Sequence, residues 1–251
     1  MAKVLEICVD SLASARAAVR GGADRLELCS ALLAGGLTPY EALLRQIREE
    51  TDIPVRCLMR PRPGDFLYTP EELEMLRRQI LRLKNAGADG FVIGCLTREG
   101  ELDTDTMRPL VEACGGSGIT LHRCIDVSRD PERTYLTAAA LGIDTVLTSG
   151  AAASCKAGQE RIARLIALRD QTKGPEVLIG AGVNAAVIRH FRRNVTGARA
   201  FHASCKTELE SDMVFRRAGV SMGLPGLDEC HIQQTSEAAV RAARCAMDEM
   251  E

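Results

Sequence analysis

Short apolar runs alternate along the chain with longer stretches of helical spacing, and glycine or turn residues separate them at a steady pace. Brief Val/Ile/Leu-rich runs read as buried strands, and apolar positions recurring every three or four residues read as amphipathic helices. The pattern predicts strands at 5–9, 25–29, 55–60, 90–95, 119–125, 145–149, 176–181 and 200–204. Helices fall between them, for example at 11–20, 70–86, 104–113, 131–141, 159–172 and 184–193, with a last one at 236–250. Gly21-Gly22-Ala23-Asp24, Gly87-Ala88-Asp89, Gly142-Ile143-Asp144 and Gly197-Ala198-Arg199 each precede a strand, where a glycine just past a helix end turns the chain back into the sheet. Strand then helix, eight times, predicts an α/β fold: a (β/α)8 TIM barrel, with residues 1–251 forming one domain. A doubly wound open sheet would use similar caps, but no GxGxxG follows the first strand.

One stretch breaks the rhythm. Residues 206–235 show no clear period and contain Gly219, Gly223, Pro225 and Gly226. An irregular segment of this length before the last helix reads as a lid or a subunit contact, and a homodimer through it is an expectation.

In a barrel the outer face of each strand packs on helices, so charged strand residues must point inward or sit at the rim. Period-two alternation sends Leu5, Ile7 and Val9 outward and Glu6, Cys8 and Asp10 inward. It likewise puts Glu27 and Cys29, Arg56, Leu58 and Arg60, Thr120, His122, Cys124 and Asp126, and Ala200, His202 and Ser204 on the lumen side. Glu6 and Arg56 sit low and could simply fill the barrel as ion pairs, because a buried charge is costly unless paired. Glu27, Arg60 and His122 lie near the carboxyl ends of strands, where barrel enzymes place their chemistry. Arg60-Pro61-Arg62-Pro63-Gly64-Asp65 carries two guanidinium groups on a glycine-ended loop. Gly180-Ala181-Gly182 opens a helix after the seventh strand and His202-Ala203-Ser204 ends the eighth, the two positions where many barrels bind phosphate on backbone N–H groups.

Composition narrows the function classes. Lys and Arg number 32 against 34 Asp and Glu, which gives no basic excess for nucleic acid. No apolar run approaches the roughly 18 residues a membrane span requires. The start lacks a signal-peptide core, so a cytoplasmic location is expected, and the ten cysteines are expected to remain thiols. No Cys-x-x-Cys occurs. Cys8 and Cys29 read as corresponding, inward points on neighbouring strands roughly 4.8 Å apart. Two such thiolates suit the soft cation Cu(I), although small buried hydrophobes would look the same. Cys57, Cys95, Cys114 and Cys245 fall on apolar faces and read as packing. Cys124 stands beside His122, and Cys155, Cys205 and Cys230 fall in loops.

Several runs together resemble the CutC copper homeostasis proteins. They are Glu6-Ile7-Cys8-Val9-Asp10-Ser11, Gly21 through Ser30 with Leu26-Glu27-Leu28-Cys29, Gly35-Gly36-Leu37-Thr38-Pro39, Met59-Arg60-Pro61-Arg62-Pro63-Gly64-Asp65, Leu121-His122-Arg123 and Leu147-Thr148-Ser149-Gly150. The resemblance spans nearly the whole chain and implies an eight-unit barrel, a cytoplasmic location and copper handling, with Cys8 and Cys29 as Cu(I) ligands. Gly180-Ala181-Gly182 stands where that family carries three glycines, and His122-Arg123-Cys124-Ile125-Asp126 departs from its His-Arg-Ala-Phe-Asp. A metal carrier does not account for Glu27, Arg60, Arg62, His122 and His202 converging on one mouth. The alternative is a barrel enzyme for a small phosphorylated or carboxylated substrate. Arg60, Arg62, Gly180, Gly182, His202 and Ser204 would hold the anion, and Glu27 and His122 would exchange protons. No nucleotide or organic cofactor is implied. A Schiff-base mechanism is disfavoured, since no lysine falls on an inner strand face and Lys206 lies beyond the rim.

Overall fold

A computed structural model describes residues 3–217, 219, 220 and 230–249. Eight parallel strands close in sequence order into a barrel: β1 (Val4–Val9), β2 (Arg25–Leu28), β3 (Val55–Leu58), β4 (Gly90–Ile93), β5 (Gly118–Leu121), β6 (Thr145–Thr148), β7 (Glu176–Ile179) and β8 (Ala200–Ala203). Around them lie α1 (Leu12–Gly21), α2 (Glu41–Glu50), α3 (Pro70–Asn85), α4 (Thr104–Cys114), α5 (Pro131–Ala140), α6 (Gln159–Thr172), α7 (Ala185–Asn194) and α8 (Glu237–Asp248). This is the TIM-barrel architecture that the alternation predicts. Among the described residues no helix is long and apolar enough to cross a membrane.

Local chemistry sets the helix ends. Ser11, Asp103, Asp130, Asn184 and Ser236 each accept a backbone N–H in the first turn of the following helix, and Thr69 with Glu72 forms a reciprocal capping box on α3. The outward strand residues Leu5, Ile7, Leu26, Leu28 and Phe91 are fully buried beneath the helices, as is Cys57. Inside the barrel, Cys8, Cys29, Leu58 and Val92 pack together on one side and Leu147, Leu178 and Ala200 on the other.

The floor is polar and closed. Arg56 crosses it to donate to Thr120 Oγ1 at 2.7 Å, Thr145 Oγ1 at 3.2 Å and Asp144 Oδ1 at 2.7 Å. Its path runs over Gly90 and Gly118, where a Cβ would come within 2.9 Å of Arg56 Cγ and 2.5 Å of its Nη2. Arg56 is therefore a structural filler at the amino-terminal end of the barrel.

Two expectations change. The strand expected at 119–125 ends at Leu121, and Arg123–Val127 is a 3-10 turn. His122 stands at the break: its N–H still donates to the Ile93 carbonyl, and its Nδ1 accepts the Cys124 N–H as the cap of the 3-10 turn. The stretch 206–235 is regular at both ends: β9 (Lys206–Glu210) pairs antiparallel with β10 (His231–Thr235). The ribbon is tied to the barrel by Thr235 N–H donating to Ser14 Oγ and Ser236 N–H donating to the Cys205 carbonyl. Its two short strands are mostly exposed and polar, which left no apolar alternation to read. Gly223, Pro225 and Gly226, which suggested a lid or interface, lie outside the described residues.

Candidate functional site

A cavity of about 440 Å³ opens at the carboxyl ends of the strands. Three side chains from adjacent strands meet on one wall. Cys8 and Glu27 are register partners across β1 and β2, and Glu6 and His202 are register partners across β1 and β8. The Cys8 sulfur, a Glu27 carboxylate oxygen and a His202 ring nitrogen all lie within 4.8 Å of one another. His202 Nδ1 is 2.8 Å from Glu6 Oε1, and its Nε2 faces Glu27 Oε2 at 3.6 Å. Glu6 also holds Arg25 at 2.5 Å.

The electrostatics follow from burial and from these partners. Burial alone would push Glu6 upward, but Arg25 and the His202 bond outweigh it and hold the carboxyl down at about 2. Burial disfavours the His202 cation, yet the surrounding Cys8, Glu27 and Glu6 raise its value well above the ordinary range. Glu27 is raised, chiefly by burial, and no arginine among the described residues is bonded to it. The site thus pairs a fixed carboxylate with an imidazolium, next to a carboxyl group disposed to take or give a proton.

Cys29 enters differently from the sequence reading. Cys8 aligns with Glu27, so Cys29 sits two residues further along β2, beyond the strand end. Its thiol leans on Glu27 Oε2 at 3.5 Å, and burial with the neighbouring Glu27 raises its ionisation well above the ordinary thiol range. Cys8 and Cys29 both line the cavity, but Cys29 stands outside the mutually close trio.

His122 occupies another part of the cavity lining. Nδ1 accepts the Cys124 N–H at 3.1 Å, which leaves the ring proton on Nε2, a buried atom with no hydrogen-bond partner. Burial, then the Arg60 cation, pull the ring down to about 3, so it is neutral at physiological pH. Its ring lies 4.7 Å from that of Phe66.

The remaining predicted residues divide. Arg60 lines the cavity, its guanidinium donates to the carbonyls of Ala34, Gly36 and Gly64, and no carboxylate among the described residues pairs with it. Gly182 and Ser204 also line it. Gly180 does not; a Cβ there would meet Leu147 at 2.6 Å, so this glycine serves packing. Arg62 does not either, because Glu72 at 2.7 Å and Asp65 at 3.0 Å occupy it. His202, expected among the anion contacts, is turned to two carboxylates instead. Cys124, expected inward, is buried in the outer core, and Cys245, expected to pack, is exposed. Cys155, placed in a loop, is fully buried.

One residue, Arg123, was missed, and Lys206, expected to lie beyond the rim, belongs to the cavity lining. Lys206 lines the cavity as the first residue of β9, and no carboxylate among the described residues pairs with it. Arg123 also lines it, held by Asp126 at 2.7 Å and by Ser149 Oγ at 2.9 Å. The Arg123/Asp126 spacing was a readable signal; Lys206 had none, because its position depends on the ribbon.

Fold and site together define a parallel-barrel protein with a buried Cys–Glu–His cluster at its mouth. The sequence pattern of the CutC family matches residues 3–207, and the chain belongs to that family. It is 41% identical over 249 residues to a CutC protein of Chromobacterium violaceum, covering 99% of each chain. It is 40% identical over 221 residues to the human copper homeostasis protein cutC homolog, covering 88% of this chain and 80% of the human one. A crystal structure of a CutC protein from Streptococcus agalactiae superposes with a TM-score of 0.75 at 26% identity, covering 80% of this chain and 98% of that one. Phosphoribosyl anthranilate isomerase from Thermococcus kodakaraensis shares the fold alone, at a TM-score of 0.56 and 12% identity over 99% of this chain and all of the other.

Proposed function

We propose that this chain is a barrel enzyme acting on a small phosphorylated or carboxylated substrate by acid–base chemistry. The observation that carries this reading is the Glu6–His202 pair at 2.8 Å standing beside Glu27 in a cavity shared with neutral His122. Glu27, whose carboxyl is raised by burial, is placed to exchange a proton with a substrate in the cavity. His122 Nε2–H is a buried donor without a partner, suited to a substrate oxygen on which charge develops. Arg60, with no carboxylate partner among the described residues, and Lys206 supply positive charge; Gly182, just before the amino terminus of α7, and Ser204 line the same cavity. Arg62 and Gly180 have no part in this reading.

The test is a panel of sugar phosphates and short carboxylic acids incubated with the protein in deuterated water. Loss of a C–H signal by proton NMR, abolished by Glu27→Gln and His122→Asn, is expected. A panel in which no compound binds or exchanges overturns the reading.

The second reading is the copper handling for which the relatives are named, with Cu(I) on Cys8 and Cys29. It is favoured by two thiols lining one cavity. Its weakness is the donor set: Cu(I) prefers several sulfurs, and the mutually close trio offers one sulfur, one carboxylate and one imidazole.

A further inference from the structure

We infer that Cys8, Glu27 and His202 form a mononuclear site for a borderline divalent cation of the zinc class. Such an ion takes mixed sulfur, nitrogen and oxygen donors in tetrahedral geometry, and a three-ligand protein site leaves one position for water or substrate. A tetrahedral arrangement places nitrogen and oxygen ligands roughly 3.3 Å apart, from ordinary zinc–ligand bond lengths. His202 Nε2 and Glu27 Oε2 are already 3.6 Å apart, and the Cys8 sulfur is within 4.8 Å of both. All three come from the adjacent strands β8, β1 and β2, so the backbone fixes the set before any ion arrives.

The surroundings match a metal site better than an isolated ion pair. A ligating histidine is usually oriented by a carboxylate on its other ring nitrogen. Glu6 does this to His202 Nδ1 at 2.8 Å, and Arg25 at 2.5 Å fixes Glu6 in turn. That contact directs Nε2 toward Cys8 and Glu27. Cys29 contacts the carboxylate of Glu27 and is outside the trio, which makes it a supporting residue and not a ligand. A single oxygen donor disfavours magnesium and calcium, and a single sulfur disfavours Cu(I). All three residues line the cavity whose wall also includes His122. The inference goes beyond the acid–base reading and does not depend on turnover; where both hold, Glu27 would be a ligand and a hydroxide held by the ion would supply the base.

Cobalt(II) is the probe, titrated into full-length protein stripped with a chelator. The expected result is one equivalent bound, with strong visible bands of a four-coordinate ion and a near-ultraviolet sulfur-to-cobalt band, both displaced by zinc. Cys8→Ser should erase the sulfur band, and Cys29→Ser should keep it. Glu6→Gln should weaken binding by roughly 10- to 100-fold with the spectrum retained. X-ray absorption on the zinc-loaded wild type should show one sulfur among nitrogen and oxygen neighbours, an observation that does not depend on any variant folding. Absence of stoichiometric cobalt binding by folded wild type overturns the inference, as does equal loss of the sulfur band in Cys29→Ser and Cys8→Ser. Either negative result leaves the anion panel to decide the acid–base reading separately.

Discussion

Glu6 and His202 face each other across the seam where the barrel closes, Oε1 to Nδ1 at 2.8 Å, with Glu6 wholly excluded from solvent. The pair joins the first strand of the barrel to the last, and it turns the working edge of the imidazole toward Glu27. Stability and site geometry therefore rest on one contact.

Acid stability should report that contact. The folded value of Glu6, about 2, lies below its ordinary 4.5. The stabilisation is complete above about pH 4.5 and is lost as pH falls toward 2, by about 3 kcal/mol. Denaturant melts at stepped pH should show this slope in the wild type and a shallower one in Glu6→Gln.

Arg60 acts on His122 through space. The cation is the second cause, after burial, of a ring value near 3. Removing it with Arg60→Met should raise the His122 value, and NMR titration of the ring protons should show this. In the wild type the His122 signals should stay flat from pH 8 down to 5, because the folded ring gains its proton only near 3. Neutral burial of this ring stabilises the fold above about pH 6.5, and the contribution declines as pH falls below that value.

The two arginines of the loop after β3 should separate in function. Arg62→Ala removes pairs with Glu72 and Asp65 that are exposed to solvent screening, so Tm changes little and orthophosphate binding is unchanged. Arg60→Ala frees three carbonyls and removes one of the cavity cations, with Lys206 remaining, so calorimetry should find anion affinity reduced at least tenfold.

Ala181 adopts φ +74°, a left-handed conformation that a Cβ resists. Ala181→Gly should stabilise the protein by about 1 kcal/mol, seen as a higher Tm, with the Cys155 N–H still bonded to the residue 181 carbonyl. Gly94 makes the opposite demand. A Cβ there would sit 2.5 Å from Cys124 Sγ and 2.6 Å from His122 Cε1. Gly94→Ala should cost about 1–3 kcal/mol and shift the His122 ring resonances.

Periodicity alone determined the eight strand–helix units and the inward set Glu6, Cys8, Glu27, Arg56 and His202, because a two-residue repeat fixes the face each side chain occupies; Arg60 and His122 stand beyond the ends of β3 and β5, where loop contacts aim them. The partners of those side chains were decided elsewhere. Register between strands aligned Cys8 with Glu27 and moved Cys29 out of the trio. Loop closure consumed Arg62 and spared Arg60. The β9–β10 ribbon, whose polar strands carry no hydrophobic signature, brought Lys206 to the mouth. Alternation along one strand is a local property written in the chain, whereas alignment between strands and the contacts of loops arise only when the closed barrel brings distant segments together.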